Sequence, residues 1–303
     1  MVEKTVETRA GYVALIGLPN AGKSSLLNRM LGQKLSIVTR TAQTTRERVL
    51  GIDTRGSAQL VFVDTPGLVE AGHLLHQSMR HSVAQALPDA DAIVLVVDGT
   101  GAVPALPQDT LAALQARGKD VIIAVNKSDL ATGDQMDQLA AWGLGTIGAE
   151  AIAVSAKTSA GLNQLRAEIE RRLPHSPFLY PADEIATQSV RFFVAELIRE
   201  SVLELYAREV PHSVAVKIDE FREASTPVYI RATIYVERSS QKQIVIGTGG
   251  AAIKRLGARA RHKVEALVGS PCYLDLWVKV LPKWRKDPEL LRRMGYVTPP
   301  NAD

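Results

Sequence analysis

Residues Gly17 to Ser24 read G-L-P-N-A-G-K-S, between the apolar run Tyr12 to Ile16 and the helix-forming stretch Ser25 to Leu31. A buried strand, a glycine-rich turn and a helix N-terminus in that order are the context of a phosphate-binding loop. Gly17 and Gly22 let the backbone bend so that successive N–H groups point inward at phosphate oxygens, and the helix adds its positive dipole end. Lys23 is placed to reach the terminal phosphates and the Ser24 hydroxyl to sit on Mg²⁺. The whole run Gly17, Leu18, Pro19, Asn20, Ala21, Gly22, Lys23, Ser24 and Ser25 is therefore the candidate phosphate cradle. A glycine-rich turn with an incidental Lys-Ser is the bland alternative, and both flanks count against it.

The base preference is written further on. Val121 to Val125 is a continuous apolar run of the kind buried in a parallel sheet, and it ends in Asn126-Lys127-Ser128-Asp129. A carboxylate at Asp129 accepts from both N1–H and the exocyclic amine of guanine, a donor pair that adenine lacks. A buried site left short of a partner loses affinity steeply, so Asp129 can set guanine over adenine. Lys127 is expected along the base plane, and Asn126 is expected to tie the base loop to the phosphate loop. A second run, Ala151 to Val154, ends in Ser155-Ala156-Lys157, whose backbone amides are candidates for guanine O6.

Between these lie the groups expected to sense the γ-phosphate. Leu60 to Val63 ends in Asp64-Thr65-Pro66-Gly67. Asp64, at a strand's carboxyl end, is placed to hold Mg²⁺ through water, while the Gly67 N–H can approach the phosphate unobstructed. Upstream, T-A-Q-T-T-R (Thr41 to Arg46) has neither helix nor strand period, and a threonine here can complete the Mg²⁺ shell and release it after hydrolysis. The spacing leaves Thr44 and Thr45 open, with Thr45 preferred. The candidate catalytic set is thus Lys23, Thr45, Gly67 and Asn20. Leu68 follows Gly67 where many GTPases carry a water-orienting glutamine, and leucine has no atom for that task. Water positioning then falls to the backbone, a partner or a second cation. Asn20 is a candidate ligand for a monovalent cation, K⁺ in particular, with a loop-bracing hydrogen bond as the alternative. Slow intrinsic turnover is the expectation.

Composition extends this picture. The 303 residues exceed one average domain, 46% are hydrophobic, and the single cysteine, Cys272, excludes an internal disulfide and suits a reducing cytoplasm. The charged start lacks the apolar core of a signal peptide, and no apolar run approaches a membrane span. Strand-like and helical runs alternate from Tyr12 to about Leu173, the α/β pattern of a mostly parallel sheet with helices on both faces. Val49 to Ile52 and Leu60 to Val63 read as an antiparallel hairpin within it. Pro174, Pro177 and Pro181 then punctuate a linker. The expected division is a GTP-binding domain over 1–173, a linker over 174–182 and a second domain over 183–303.

All the net charge lies in that second domain: residues 1–182 hold 17 Lys/Arg and 17 Asp/Glu, whereas residues 183–303 hold 19 and 15. Lys242, Lys254, Arg255, Arg259, Arg261 and Lys263 share one stretch free of acids. A charge run is usually a solvated face. Here, however, the apolar residues Ile244 to Ile246, read as a strand end, give way to Gly247-Thr248-Gly249-Gly250 and then to a basic helix. A G-x-x-G turn lets a nucleic-acid backbone approach closely, with helix amides and Lys254, Arg255 and Arg259 on its phosphates. The α-β-β-α-α-β order matches an α+β type II KH domain, a single-strand RNA binder.

With both halves in view, the chain resembles the Era family of ribosome-associated bacterial GTPases along nearly its full length. The likeness rests on G-L-P-N-A-G-K-S, Q-T-T-R, D-T-P-G, N-K-S-D, S-A-K, I-G-T-G-G-A-A-I-K and the tail R-R-M-G-Y. It implies a GTP/GDP switch, monomeric and cytoplasmic, whose KH domain binds the 3′ end of 16S ribosomal RNA on the 30S subunit during maturation. It also implies peripheral contact with the inner membrane. Thr248 stands where the family usually has lysine, so one phosphate contact is expected to be missing or supplied by Lys242 or Lys254. A GTP-gated RNA scaffold with negligible hydrolysis is the alternative that Leu68 keeps open. A tRNA-modification GTPase would need further modules that are not evident.

Overall fold

The computed structural model describes residues 7–39, 41, 43–69 and 72–299. Among them two compact units form, each with its own sheet.

The first sheet is built from β1 (Arg9–Ile16), β2 (Val49–Arg55), β3 (Ala58–Asp64), β4 (Ala92–Asp98), β5 (Val121–Asn126) and β6 (Ala151–Ala153) in the order β2-β3-β1-β4-β5-β6. Only β2 runs antiparallel, joined to β3 by a turn in which Gly56 takes a positive φ of 60°. The apolar runs are continuous because both faces are covered. Alternate residues divide between two cores: Val13, Leu15, Val94 and Val96 face one side, and Ala14, Ile16, Ile93 and Leu95 the other. Helices α1 (Lys23–Leu31) and α5 (Leu162–Arg172) cover the first face, with Leu26, Leu27, Leu165 and Ile169 fully buried. Helices α2 (Leu74–Ala86), α3 (Gln108–Ala116) and α4 (Gly133–Trp142) supply Val83, Leu114 and Leu139 to the second. Burying each such side chain contributes about 1.5–3 kcal/mol. The chain leaves β1 for the β3 side of the sheet and later crosses to β4 on the other side. That switch point opens a crevice at the strands' carboxyl ends, where the loops after β1, β3, β5 and β6 gather.

The second unit contains α6 (Val190–Leu205), a single turn α7 (Val210–Ser213), β7 (Ala215–Arg222), β8 (Val228–Val236), α8 (Ser239–Ile246), α9 (Ala251–Val268), β9 (Cys272–Val280) and α10 (Pro288–Arg293). The order β7-β8-β9, with β7 antiparallel and β9 parallel to β8, presents one apolar face to α6, α8 and α9. Val194, Ile198, Val202, Leu256, Ala260 and Val264, at helical spacing, pack there against Ile230, Ala232 and Ile234. The KH-like order of elements is present.

Two expectations need correction. Ile244 to Ile246 are the last turn of α8, not a strand end. The Gln241 side chain accepts from the Glu237 and Arg238 N–H groups at 2.9 and 3.0 Å, which fixes the helix start, and only Val245 of the three apolar residues is buried. The boundary near 174–182 also shifts. Gln59 receives the Leu179 and Tyr180 N–H groups at 2.7 and 3.0 Å, and Ile185 O accepts from Ile52 N, so residues as far as Thr187 belong to the first unit. Conversely, residues 37–44 and 72–78 belong to the second unit: Val38 N donates to Glu200 and Arg199 to Thr44 O.

Candidate functional site

The phosphate loop turns at the glycines that the sequence supplies. A Cβ on Gly17 would collide with Val96 O, and one on Gly22, at φ 96°, with the Asn126 amide. Asn20 sits exposed in left-handed backbone at φ 63°, and its side chain makes no hydrogen bond among the described residues, so the loop-bracing role is not seen. Lys23 is buried and bends back to donate to Gly17 O and Leu18 O at 3.0 and 3.1 Å. Burial lowers its pKa to about 8, against the pull of Asp64. Helix α1 begins at Lys23 with Gly22 as its cap and no side chain covering the N-terminal amides, which therefore face the loop.

Ser24, Thr45 and Asp64 meet within this crevice. Ser24 Oγ lies 2.8 Å from Thr45 Oγ1 and donates to Asp64 Oδ2 at 2.8 Å. Thr44 instead donates to Thr41 O at 2.6 Å. Asp64 is fully buried, and desolvation raises its pKa against the opposing effects of Lys23 and Ser24. Its Oδ1 has no hydrogen-bond partner among the described residues. A buried, orphaned carboxylate oxygen beside two hydroxyls is an all-oxygen donor set that suits Mg²⁺. Thr65 and Pro66 lead from Asp64 to Gly67, with Thr65 Oγ1 anchored on Leu15 O at 2.7 Å. A Cβ at Gly67 would press on Pro19 of the phosphate loop. Leu68 N donates to Gly17 O at 3.0 Å, while its side chain joins the core with Val83 and Leu87 and offers nothing to an attacking water.

The base loops interlock. Asn126 Nδ2 donates to Ala21 O at 3.0 Å, and Asn126 Oδ1 accepts from the Ala156 N–H at 3.0 Å. One buried side chain thus bridges phosphate loop and S-A-K turn. Ser155 Oγ donates to Asp129 Oδ1 at 2.6 Å, leaving the exposed carboxylate turned along the loop. Lys127, at φ 64°, pairs with Asp98 at 2.5 Å; despite partial burial, this bond and those from Thr100 hold Asp98 below the usual carboxylate range. Sequence reading did not single out Asp98 or Arg29, whose guanidinium bonds Ala156 O and Lys157 O. Asp98 closes β4 in register with Asn126 and could have been found from that strand end; Arg29 carries no sequence signal.

In the second unit Gly247 takes φ 72°, and a Cβ there would strike Ala252. Gly249 and Gly250 take φ 58° and 79° with open space where side chains would be. The turn thus delivers the chain into α9, whose N-terminal amides lie uncapped behind it. Thr248, Lys254 and Arg255 are exposed beside the turn. Arg259 is not free to extend this track: it pairs with Glu204 at 2.5 Å, and Lys263 pairs with Glu200 and Glu204 at 2.7 and 2.8 Å. Among the described residues no helix is long and apolar enough to cross a membrane.

Comparison with known proteins bears on both units. A family model described as 50S ribosome-binding GTPase matches residues 12–127, and a KH domain model matches residues 209–285. GTPase Era of Pseudomonas entomophila (strain L48) is 41% identical over 304 residues, covering 98% of this chain and 99% of that protein. GTPase Era of Nostoc sp. (strain PCC 7120 / SAG 25.82 / UTEX 2576) is 40% identical over 299 residues, covering 96% and 90%. Among solved structures, a single-residue variant of Aquifex aeolicus Era bound to GDP·AlF4⁻ superposes with a TM-score of 0.90 at 37% identity, covering 96% of this chain and all of that one. Era in complex with MgGDPNP and nucleotides 1506–1542 of 16S ribosomal RNA superposes at 0.91 and 37% identity, covering 96% and 99%.

Proposed function

The chain belongs to the Era family of GTPases, and from that premise we propose that it is a GTP/GDP switch that binds the 3′ end of 16S ribosomal RNA on the 30S subunit and acts in small-subunit maturation. The observation that carries this reading is the likeness, over 96% of the chain, to an Era solved with both MgGDPNP and a 16S fragment. The geometry supports it residue by residue. Ser24, Thr45 and Asp64 would hold Mg²⁺, which when bound neutralises charge on the phosphate oxygens. Lys23 and the α1 amides bind the phosphates, the Gly67 N–H meets the γ-phosphate, and Asp129 with the S-A-K turn reads guanine. Gly247 to Gly250 with Lys254 and Arg255 bind the RNA backbone, and Arg259 joins them only on leaving Glu204. Asn20, whose side chain is unengaged, supports K⁺ as a second cation in place of a water-orienting side chain at Leu68. The protein acts in this reading as a cytoplasmic monomer, and inner-membrane contact rests on the family alone.

The test is equilibrium binding of a 16S 3′-end oligonucleotide to the full chain with GDP and with a non-hydrolysable GTP analogue. A several-fold difference between the two nucleotides supports the switch. Equal, tight RNA binding in both states would leave an RNA-binding GTPase without switching.

A further inference from the structure

We propose that Arg29 is the positioning residue that makes the S-A-K turn read the 6-oxygen of guanine, an inference that rests on the guanine-binding reading of this crevice. Arg29 occupies the last turn of α1, where a basic residue ordinarily serves the helix's own carbonyls. Its donors go elsewhere. Nε reaches Ala156 O at 2.9 Å and one terminal nitrogen reaches Lys157 O at 2.7 Å, 127 and 128 residues away in the chain.

What this clamp fixes follows from peptide geometry. The Ala156 carbonyl and the Lys157 N–H belong to one planar group and point in opposite directions, so holding the oxygen sets the direction of the hydrogen. The other two amides of the motif are already used: Ser155 N donates to Ala160 O and Ala156 N to Asn126 Oδ1, each at 3.0 Å. The Lys157 N–H makes no hydrogen bond among the described residues and is the donor left for a ligand oxygen. Lys157 lies in an exposed turn outside any helix or sheet ladder. The turn is closed through Ser155, which accepts from Ser159 N at its carbonyl and from Thr158 N at its hydroxyl, but neither bond is to the Ala156–Lys157 peptide group itself. The guanidinium orients that group, because its planar fork offers two N–H donors in fixed geometry. The helix that presents its N-terminus to the phosphates thereby holds, at its other end, the loop that meets the base.

The experiment compares GTP with 6-thio-GTP, whose sulfur is a poor acceptor while its N1–H and exocyclic amine, the groups for Asp129, are kept. Binding is measured for the full-length wild type, Arg29→Ala and Arg29→Lys, with ATP as control. The wild type should prefer GTP to 6-thio-GTP by about tenfold. Arg29→Ala should bring GTP down towards the 6-thio-GTP level while leaving 6-thio-GTP within about twofold of wild type. Arg29→Lys should keep only a minor part of the preference, since an ammonium supplies donors without the fixed planar fork. Arg29 is exposed on the helix and alanine is a good helix former, so the variant retains the fold. An unchanged GTP to 6-thio-GTP ratio in Arg29→Ala overturns the proposal, whether both affinities hold or fall together; so does a wild type blind to the sulfur. A wild type that fails to separate GTP from ATP overturns the guanine reading itself, whereas intact GTP/ATP selection with an unmoved thio ratio removes only the role of Arg29.

Discussion

Ser155 Oγ donates a 2.6 Å hydrogen bond to Asp129 Oδ1, joining the loop after β6 to the loop after β5. The bond fixes one carboxylate oxygen and so sets the direction in which the carboxylate faces a base. Asp129→Asn should weaken GTP by about 2–4 kcal/mol and gain xanthosine triphosphate, because an amide can donate where the carboxylate only accepts. Titration of both nucleotides checks this; equal affinity of the wild type for ATP and GTP would falsify the assignment.

Asn20 carries the second prediction. With no hydrogen bond to brace the loop among the described residues, its exposed side chain is available to a monovalent cation. Hydrolysis should run faster in K⁺ than in Na⁺, and Asn20→Ala should abolish the difference without loss of GTP affinity. A phosphate-release rate indifferent to the cation removes the ion from the mechanism.

At the RNA end, Gly249→Asp with Gly250→Asp should abolish binding to a 16S 3′-end oligonucleotide and leave GTP affinity nearly unchanged. Carboxylates would fill the open space where phosphates must lie. Lys254→Ala should weaken binding less and reduce the salt slope by about one, as one fewer counterion is released. Arg259→Ala should do less still, since Glu204 already engages that guanidinium. Fluorescence anisotropy across a salt series separates the three.

Glu200 is buried at 1% exposure, and Lys263 Nζ lies 2.7 Å from its Oε2. Lys263→Ala removes one ion pair from a buried carboxylate that also accepts from Val38 N, so it should destabilise the fold by about 1–3 kcal/mol, whereas Lys254→Ala, on an exposed site, should cost under about 0.5 kcal/mol. Urea denaturation of the two variants makes the comparison.

His73 should make stability pH-dependent. Burial, then His76 and Arg285 nearby, lower its pKa from 6.5 to about 4, outweighing Glu237 and its own backbone hydrogen bond. The folded state therefore binds fewer protons than the unfolded one between these values, and stability rises with pH across that window. It is fully present above about pH 6.5 and lost as pH falls towards 4. His73→Gln should flatten the slope in denaturation measured from pH 4 to 7; an unchanged slope would assign it to other groups.

Much of this protein is legible in its chain because glycine, proline and short apolar runs act locally. The G-L-P-N-A-G-K-S loop needs only its own glycines and flanking runs to be placed between β1 and α1, and the α/β alternation follows from runs buried on both faces. The failures are where local signals are ambiguous. Three apolar residues, Ile244 to Ile246, suit a strand or a helical turn equally, and the Gln241 bonds to Glu237 and Arg238 decided for the helix. Proline spacing suggested a linker from 174, yet Gln59 binds its backbone to the first unit. Residue types alone marked Ser24, Asp64 and Asp129 as candidates. Thr45 is already the preferred threonine in the sequence, and tertiary structure sets it beside Ser24 while Thr44 bonds Thr41. Only tertiary structure engaged Arg259 with Glu204 and brought Arg29 to the S-A-K turn. Such pairings join groups distant in sequence, and their geometry is set by packing that no local pattern encodes.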